Sequence, residues 1–256
     1  MKRKDVLEKL ATDEHYYGSF GKNYLSNSDI YRLVNDPVGF KISKEQGLQQ
    51  TSTPEMLFGR YFHHEMLEPE KTNDYVSVNV KSRNAKAYQD AKLEHGEELL
   101  LDMEIDKAKR MCDKLLNNKE VFDLLDLQDS EREVPEYGIV LDGGKYLWKG
   151  KADLINRKQN LIIDLKTTSS LERFRSSAYK YNYHSQAYIY KQLFCLDMIL
   201  VVIDKNNFQI AITPFSDYAL EQGEEKVRQA EDIVHRFIDP TGAGEDASQH
   251  LIKFSI

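Results

Sequence analysis

Apolar positions along this chain change from helical to alternating spacing and back, and those changes divide it into elements. Leu57, Tyr61, Met66 and Leu67 recur at near-helical intervals behind Thr53 and Pro54, and the pattern stops at Pro69. Thr53 is a suitable cap and Pro54 a residue well tolerated at a first helical position, which predicts a helix there. A shorter helix is expected from Ser26 or Ser28 to just before Pro37, because the residue ahead of a proline is disfavoured in helical conformation. Residues 74–80 (DYVSVNV) alternate like a strand, and helical stretches follow at about 84–95 and 103–117.

Residues 133–141 and 145–156 read as two strands joined by Asp142-Gly143-Gly144, since glycine tolerates the positive φ that tight hairpin turns need. A third strand, Leu161 to Lys166, is apolar until Asp164 and Lys166, as expected of a central strand whose end reaches a site. Helices at 171–178 and 182–196, strands at 198–204 and 207–213, and a long amphipathic helix at 216–237 complete the pattern. The expected fold is α/β, a central mixed sheet flanked by helices, with a helical amino-terminal region. No repeat, low-complexity tract or linker divides the 256 residues, so one domain is expected, with its catalytic core at about 53–215.

Composition narrows the function. No apolar run approaches the length of a membrane span, and the amino terminus lacks the apolar stretch of a secretory signal, so a cytoplasmic protein without a membrane partner is expected. Cys112 and Cys195 are too few for a cysteine-ligated iron–sulfur cluster, a four-cysteine zinc site or a disulfide framework, and both are expected to be reduced and structural. A net charge of −7 argues at first against a nucleic-acid partner. From Lys145 to Lys191, however, ten Lys or Arg face three acids, +7, while the remainder sets 25 basic against 39 acidic residues. A basic segment in an acidic chain reads as a local footprint for phosphate.

The chemistry concentrates in Gly150-Lys151-Ala152-Asp153 and Asp164-Leu165-Lys166. On a strand Asp164 and Lys166 share a face while Leu165 points away. If the strands bearing Asp153 and Asp164 pair, two carboxylates converge on one hard cation such as Mg²⁺, with Lys166 placed to orient an attacking water and stabilise developing charge. The competing reading of Asp164 and Lys166 is a surface ion pair, which the apolar run before Asp164 disfavours. Glu224-x-Lys226 fits the same triplet but falls in an expected helix, where residues two apart do not share a face. Gly59 and His63 share a helical face, which makes His63 a candidate third ligand, with His64 expected to be the solvated member of the pair. Arg173, Arg175 and Lys180 interleave with Phe174, Tyr179, Tyr181 and Tyr183, a mixture suited to phosphates and unpaired bases, although about half of these tyrosines are expected to pack the core.

Phe58-Gly59-Arg60-Tyr61-Phe62-His63 through Leu67-Glu68-Pro69-Glu70 resembles the G-x-x-x-H…L-E-P-E box of RecE-type exonucleases (exodeoxyribonuclease VIII), of the PD-(D/E)XK superfamily that also includes RecB, Cas4 and lambda exonuclease. Asp164-Leu165-Lys166-Thr167-Thr168 is similar to their D-x-K-T-T motif, and Tyr181-Asn182-Tyr183-His184-Ser185-Gln186 to the Y-x-Y-H-x-Q that follows. The boxes cover about half of the chain. The usual proline before the first acid is Ala152 here, and the second acid is Asp164 rather than glutamate. The resemblance implies a restriction-endonuclease-like core, metal binding by His63, Asp153, Asp164 and the Leu165 carbonyl, and Lys166 as catalytic lysine. It further implies Gln186 and Tyr190 on a helix flanking the site. An acid on the preceding strand belongs to the pattern; Glu131, Glu133 and Glu136 are candidates, and Glu133 is preferred. Lys151, Arg173, Arg175, Tyr183 and Tyr190 are the expected DNA contacts.

The function implied is Mg²⁺-dependent (or Mn²⁺-dependent) exonucleolytic hydrolysis of linear duplex DNA, 5′ to 3′. The resemblance also implies a homo-oligomer and a single-strand annealing partner. The alternatives are an endonuclease or repair nuclease of the same superfamily, and a DNA-binding module without catalysis. A degenerate module should have lost Asp153, Asp164 or Lys166, and all three are present.

Overall fold

The computed structural model describes residues 1–46, 52–96 and 98–250. It opens with helices α1 (Arg3–Leu10), α2 (Asp13–Tyr17), α3 (Asn27–Asn35), α4 (Pro37–Glu45) and α5 (Pro54–Leu67). Ser26 and Asp29 cap α3 reciprocally. Pro37 does more than stop that helix: it opens α4, where its missing N–H costs nothing, and Asp36 accepts the Gly39 N–H at 2.9 Å. Thr53 caps α5 as expected.

Of residues 74–80 only Val76–Val78 (β1) is strand, paired in parallel with Leu99–Leu101 (β2). Three residues leave too little alternation for β2 to be read from sequence. Helices α6 (Lys86–His95) and α7 (Asp102–Leu116) lie where expected, and α8 (Lys119–Leu125) is additional, started by Asn118, whose side chain accepts the Val121 N–H.

The central sheet runs β3 (Glu131–Gly138), β4 (Trp148–Asn156), β5 (Leu161–Thr168), β6 (Asp197–Asp204) and β7 (Ile210–Pro214), in that spatial order. Only β5 and β6 are parallel, joined through α9 (Phe174–Lys180) and α10 (Tyr183–Phe194); α11 (Asp217–Ile233) follows β7 and ends in one π turn. The β3–β4 hairpin is shorter than the sequence predicts, because Val140 and Leu141 leave the ladder to enter the core. Gly143 supplies the positive φ of the turn (68°).

Apolar side chains cover both faces. On one, Trp148, Ala152, Ile162 and Leu200 meet Ile30, Ile189 and Val227 from α3, α10 and α11. On the other, Leu154, Ile163, Leu165 and Val201 meet Phe62, Met111 and Leu125 from α5, α7 and α8. Ala152 and Ile155 both belong to the first face and Leu154 to the second. Residues three apart in a regular strand face opposite ways, so β4 changes phase around Asp153. α1 packs on the β3 edge, where Arg3 pairs with Glu136. No described helix is long and apolar enough to cross a membrane.

Cys112 is buried, and burial pushes its thiol pKa up. Cys195 departs from the expectation of a structural thiol: it is exposed, in the left-handed cap of α10.

Candidate metal centre

The ladders fix a row of three acids. Pairs Arg132↔Leu154 and Val134↔Ala152 flank Glu133 opposite Asp153, and Asp164 is next along β5 after Leu154↔Ile163. Pairing of β4 with β5 stops at Leu154↔Ile163, and the Asp153 carboxylate takes over as partner, accepting the Leu165 N–H at 2.9 Å. A strand residue's N–H and C=O point to the same side, so the Leu165 carbonyl faces this gap too. Glu133 has φ 50°, a conformation few non-glycine residues adopt. That strain and the phase change of β4 occur at the same level and aim two carboxyl groups at each other across the strands, an arrangement in which both ionise readily only beside a cation.

His63 brings the third donor, its Nδ1 3.3 Å from Asp153 Oδ2. One donor atom each from His63, Glu133 and Asp153 lie within 4.8 Å of one another. Two carboxyl oxygens and an imidazole nitrogen suit a divalent cation, and the facing carboxyl groups of Glu133 and Asp153 give it a reason to bind, so the residues present fit the metal that the fold implies. Burial first, and Asp153 next, push the Glu133 carboxyl up to about 8.

Asp164 is not among those three. It is 1% exposed; Oδ1 accepts from Gln186 Nε2 at 2.7 Å and Oδ2 contacts Lys166 Nζ. Burial opposes charge on Lys166, but the carboxylates of Asp164 and Asp153 outweigh it and hold the ammonium well above the ordinary lysine range. The ring of Tyr183 covers that ammonium, 5.1 Å from Nζ to centroid. Beside Gln186 and Tyr183 a cavity of about 520 Å³ opens, walled on its far side by Ser26, Arg32 and Phe40.

Other sequence candidates are placed differently. Glu131 is engaged by Arg157 and Glu136 by Arg3, which leaves Glu133 facing the site. His64 is not the solvated histidine: its Nδ1 is 3.0 Å from Tyr75 Oη, and its side chain is less exposed (17%) than that of His63 (25%). No neighbour lies within 4 Å of where a Gly59 side chain would start, so the space beside His63 is open. Tyr190 is buried, donating to the Lys151 carbonyl at 2.8 Å and accepting its N–H at 3.2 Å. Lys151 is buried as well, with Asp13 at 2.6 Å, so neither side chain lies on the surface offered to DNA. Arg173, Arg175 and Lys180 are exposed around Tyr179 and Tyr181. The wider basic segment is largely spent within the protein: Arg157, Lys158 and Lys191 pair with acids, and Lys149, Lys151 and Lys166 are enclosed. Glu224 pairs with Arg228 along α11, away from the sheet.

Sequence reasoning missed Asp13 and Tyr17. Tyr17 is 66% exposed and stands beside the acids, its ring 5.8 Å from the Lys151 ammonium. Neither residue sits in a motif, and only the docking of α2 brings them here.

Among solved structures, one described as a candidate exonuclease from Eubacterium rectale matches with TM-score 0.58 and 16% identity over 96% of this chain and 95% of that one. The SSO0001 protein gives TM-score 0.43 and 20% identity over 91% and 86%, and a phage-related exonuclease from Haemophilus somnus 129PT gives 0.35 and 14% over 82% and 92%. No curated protein matches the sequence. Residues 37–240 match the family described as a PDDEXK-like domain of unknown function (DUF3799), in agreement with the fold and with the order of the acids and lysine, and the chain belongs to that family.

Proposed function

We propose that the protein is a divalent-cation-dependent deoxyribonuclease that degrades linear duplex DNA from an end, in the 5′ to 3′ direction, and so supplies single-stranded tails for strand annealing. The observation that carries the reading is the row Glu133–Asp153–Asp164 across three strands, with His63 on the middle acid and Lys166 on Asp164. The description of the Eubacterium rectale protein of similar fold as a candidate exonuclease is consistent with it.

His63, Glu133 and Asp153 would hold the cation, with Asp164 and the Leu165 carbonyl as further oxygen donors. A Mg²⁺ or Mn²⁺ ion bound there would supply Lewis-acid chemistry, offsetting charge on the scissile phosphate and making water easier to deprotonate. Lys166 keeps its proton at Nζ and offers it to phosphate oxygen, where negative charge grows during hydrolysis. Gln186 holds Asp164 in place, so the carboxylate that faces Lys166 cannot rotate away. The Tyr183 ring limits the water that reaches the ammonium, which strengthens its electrostatic action. Arg173, Arg175 and Lys180 supply phosphate contacts, and Tyr179 and Tyr181, 39% and 57% exposed, supply faces for unpaired bases. A ring-like homo-oligomer around duplex DNA is part of the proposal.

The test uses end-labelled linear duplex, closed circular DNA and single strands, with Mg²⁺ or chelator. Linear duplex alone should be degraded, a 5′ label should be released before a 3′ label, and chelation should stop the reaction. Cutting of closed circles would instead indicate an endonuclease, and inertness with every metal would favour a binding module.

A further inference from the structure

Strand β4 carries a second buried cation beside the acids. Lys151 Nζ is 2.6 Å from Asp13 Oδ1 and 3.9 Å from Glu133 Oε2. The rings of Tyr16 and Tyr17 lie 4.8 and 5.8 Å from it, and the residue is 8% exposed, so the ammonium has little water and must choose between two carboxylates. Asp13 holds the nearer position. Its other oxygen accepts from Lys71 at 3.0 Å, and Lys71 is itself anchored to Glu68 at 2.8 Å, which fixes Asp13 from behind. Asp13 opens α2 and lies outside the residues that match the family, 37–240.

We propose that Asp13 is a positioning residue of the metal centre: it draws the Lys151 ammonium away from Glu133 and so leaves that carboxylate open to a cation. The proposal rests on the reading of His63, Glu133 and Asp153 as metal donors. A lysine on a four-carbon stem moves an ångström at little cost. Once the charge at residue 13 is gone, Glu133 is the next carboxylate within reach of Lys151, and the ammonium closes on it. An entering cation then has to break that pair. Helix α2 thereby becomes part of the site, although none of its side chains is a ligand.

Mn²⁺ titration followed by electron paramagnetic resonance separates this from a merely structural role. Asp13→Asn, isosteric and at a half-exposed position, should weaken Mn²⁺ binding about tenfold, the size of one charge-assisted hydrogen bond. Asp13→Glu should keep wild-type affinity. The double variant Asp13→Asn/Lys151→Met removes the competing ammonium and should recover wild-type affinity or exceed it, whereas a structural defect would deepen with each substitution. In DNA cleavage Asp13→Asn should raise the Mg²⁺ concentration needed for half-maximal rate and leave kcat at saturating Mg²⁺ unchanged. Unaltered Mn²⁺ affinity in Asp13→Asn, or a double variant as weak as the single one, would overturn the proposal. A wild-type protein that takes up no Mn²⁺ would overturn the metal reading and this inference together. Mn²⁺ uptake with the predicted variant pattern but no cleavage would sustain the inference and refute the nuclease reading alone.

Discussion

Side chains at the centre carry separable loads. Lys166 is kept charged by Asp164 and Asp153, so in the proposed reaction it would donate rather than remove a proton. Lys166→Ala should lower the cleavage rate about a hundredfold or more, as loss of an electrostatic donor does elsewhere, while Mn²⁺ affinity holds or rises because a competing cation is gone. Rates of single turnover beside Mn²⁺ titration check both halves. Glu133 makes the site sensitive to pH. With its carboxyl raised to about 8, metal must displace a proton, so apparent affinity should climb with pH until about 8 and then level off. Calorimetry in buffers of different ionisation enthalpy should show proton release at pH 7, absent in Glu133→Gln. The same shift sets a sign for stability without metal. Below the ordinary glutamate value of 4.5 both folded and unfolded chains are protonated and the contribution is fully present; it is lost as pH rises through about 8. Glu133→Gln should flatten that part of the stability curve.

At the scale of elements, the site depends on how β4 is held. Tyr190 of α10 bonds both backbone groups of Lys151, two residues before Asp153, and its ring occupies the space that a side chain at Gly150 would need, with 2.7 Å to the nearest ring carbon. Tyr190→Phe should cost about 1–3 kcal/mol by leaving buried backbone groups unpaired. Gly150→Ala should cost about as much through overpacking, and more in activity, because β4 must shift. Chemical denaturation at fixed metal concentration reads the first, and the ratio of activity to folded fraction reads the second. Much of this level was legible in the sequence: the caps of α3 and α5, the hairpin turn, the apolar β5 and its Asp164–Lys166 pair are local patterns. The phase change at Asp153 was not, because it coincides with the positive φ of Glu133 on the neighbouring strand, a pairing that no local pattern reveals. Glu131 and Glu136 could not be separated from Glu133 until Arg157 and Arg3 were seen to claim them, and both pairings are long-range. His64 misled because Tyr75, its partner, arrives from beyond the helix.

Across the whole molecule, the basic segment seen in sequence shrinks mainly to an exposed patch on and beside α9, since its other cations, apart from exposed Lys145 at the hairpin, are paired or enclosed. Each of Arg173, Arg175 and Lys180 replaced by alanine should reduce the slope of log affinity against log salt for duplex DNA by about one unit, without altering Mn²⁺ uptake. Fluorescence anisotropy across a salt series with chelator present measures this. Helices from both ends of the chain cover the sheet that carries the acids, and β4 is where the amino-terminal helices, α5 and α10 meet. At that meeting point we propose a single cation site built by His63, Glu133 and Asp153. Anomalous diffraction from crystals soaked in Mn²⁺ tests it most directly. A peak about 2.0–2.3 Å from a donor atom of each of the three residues is the predicted result. No peak there, or one coordinated elsewhere, would show that these three residues do not form a cation site.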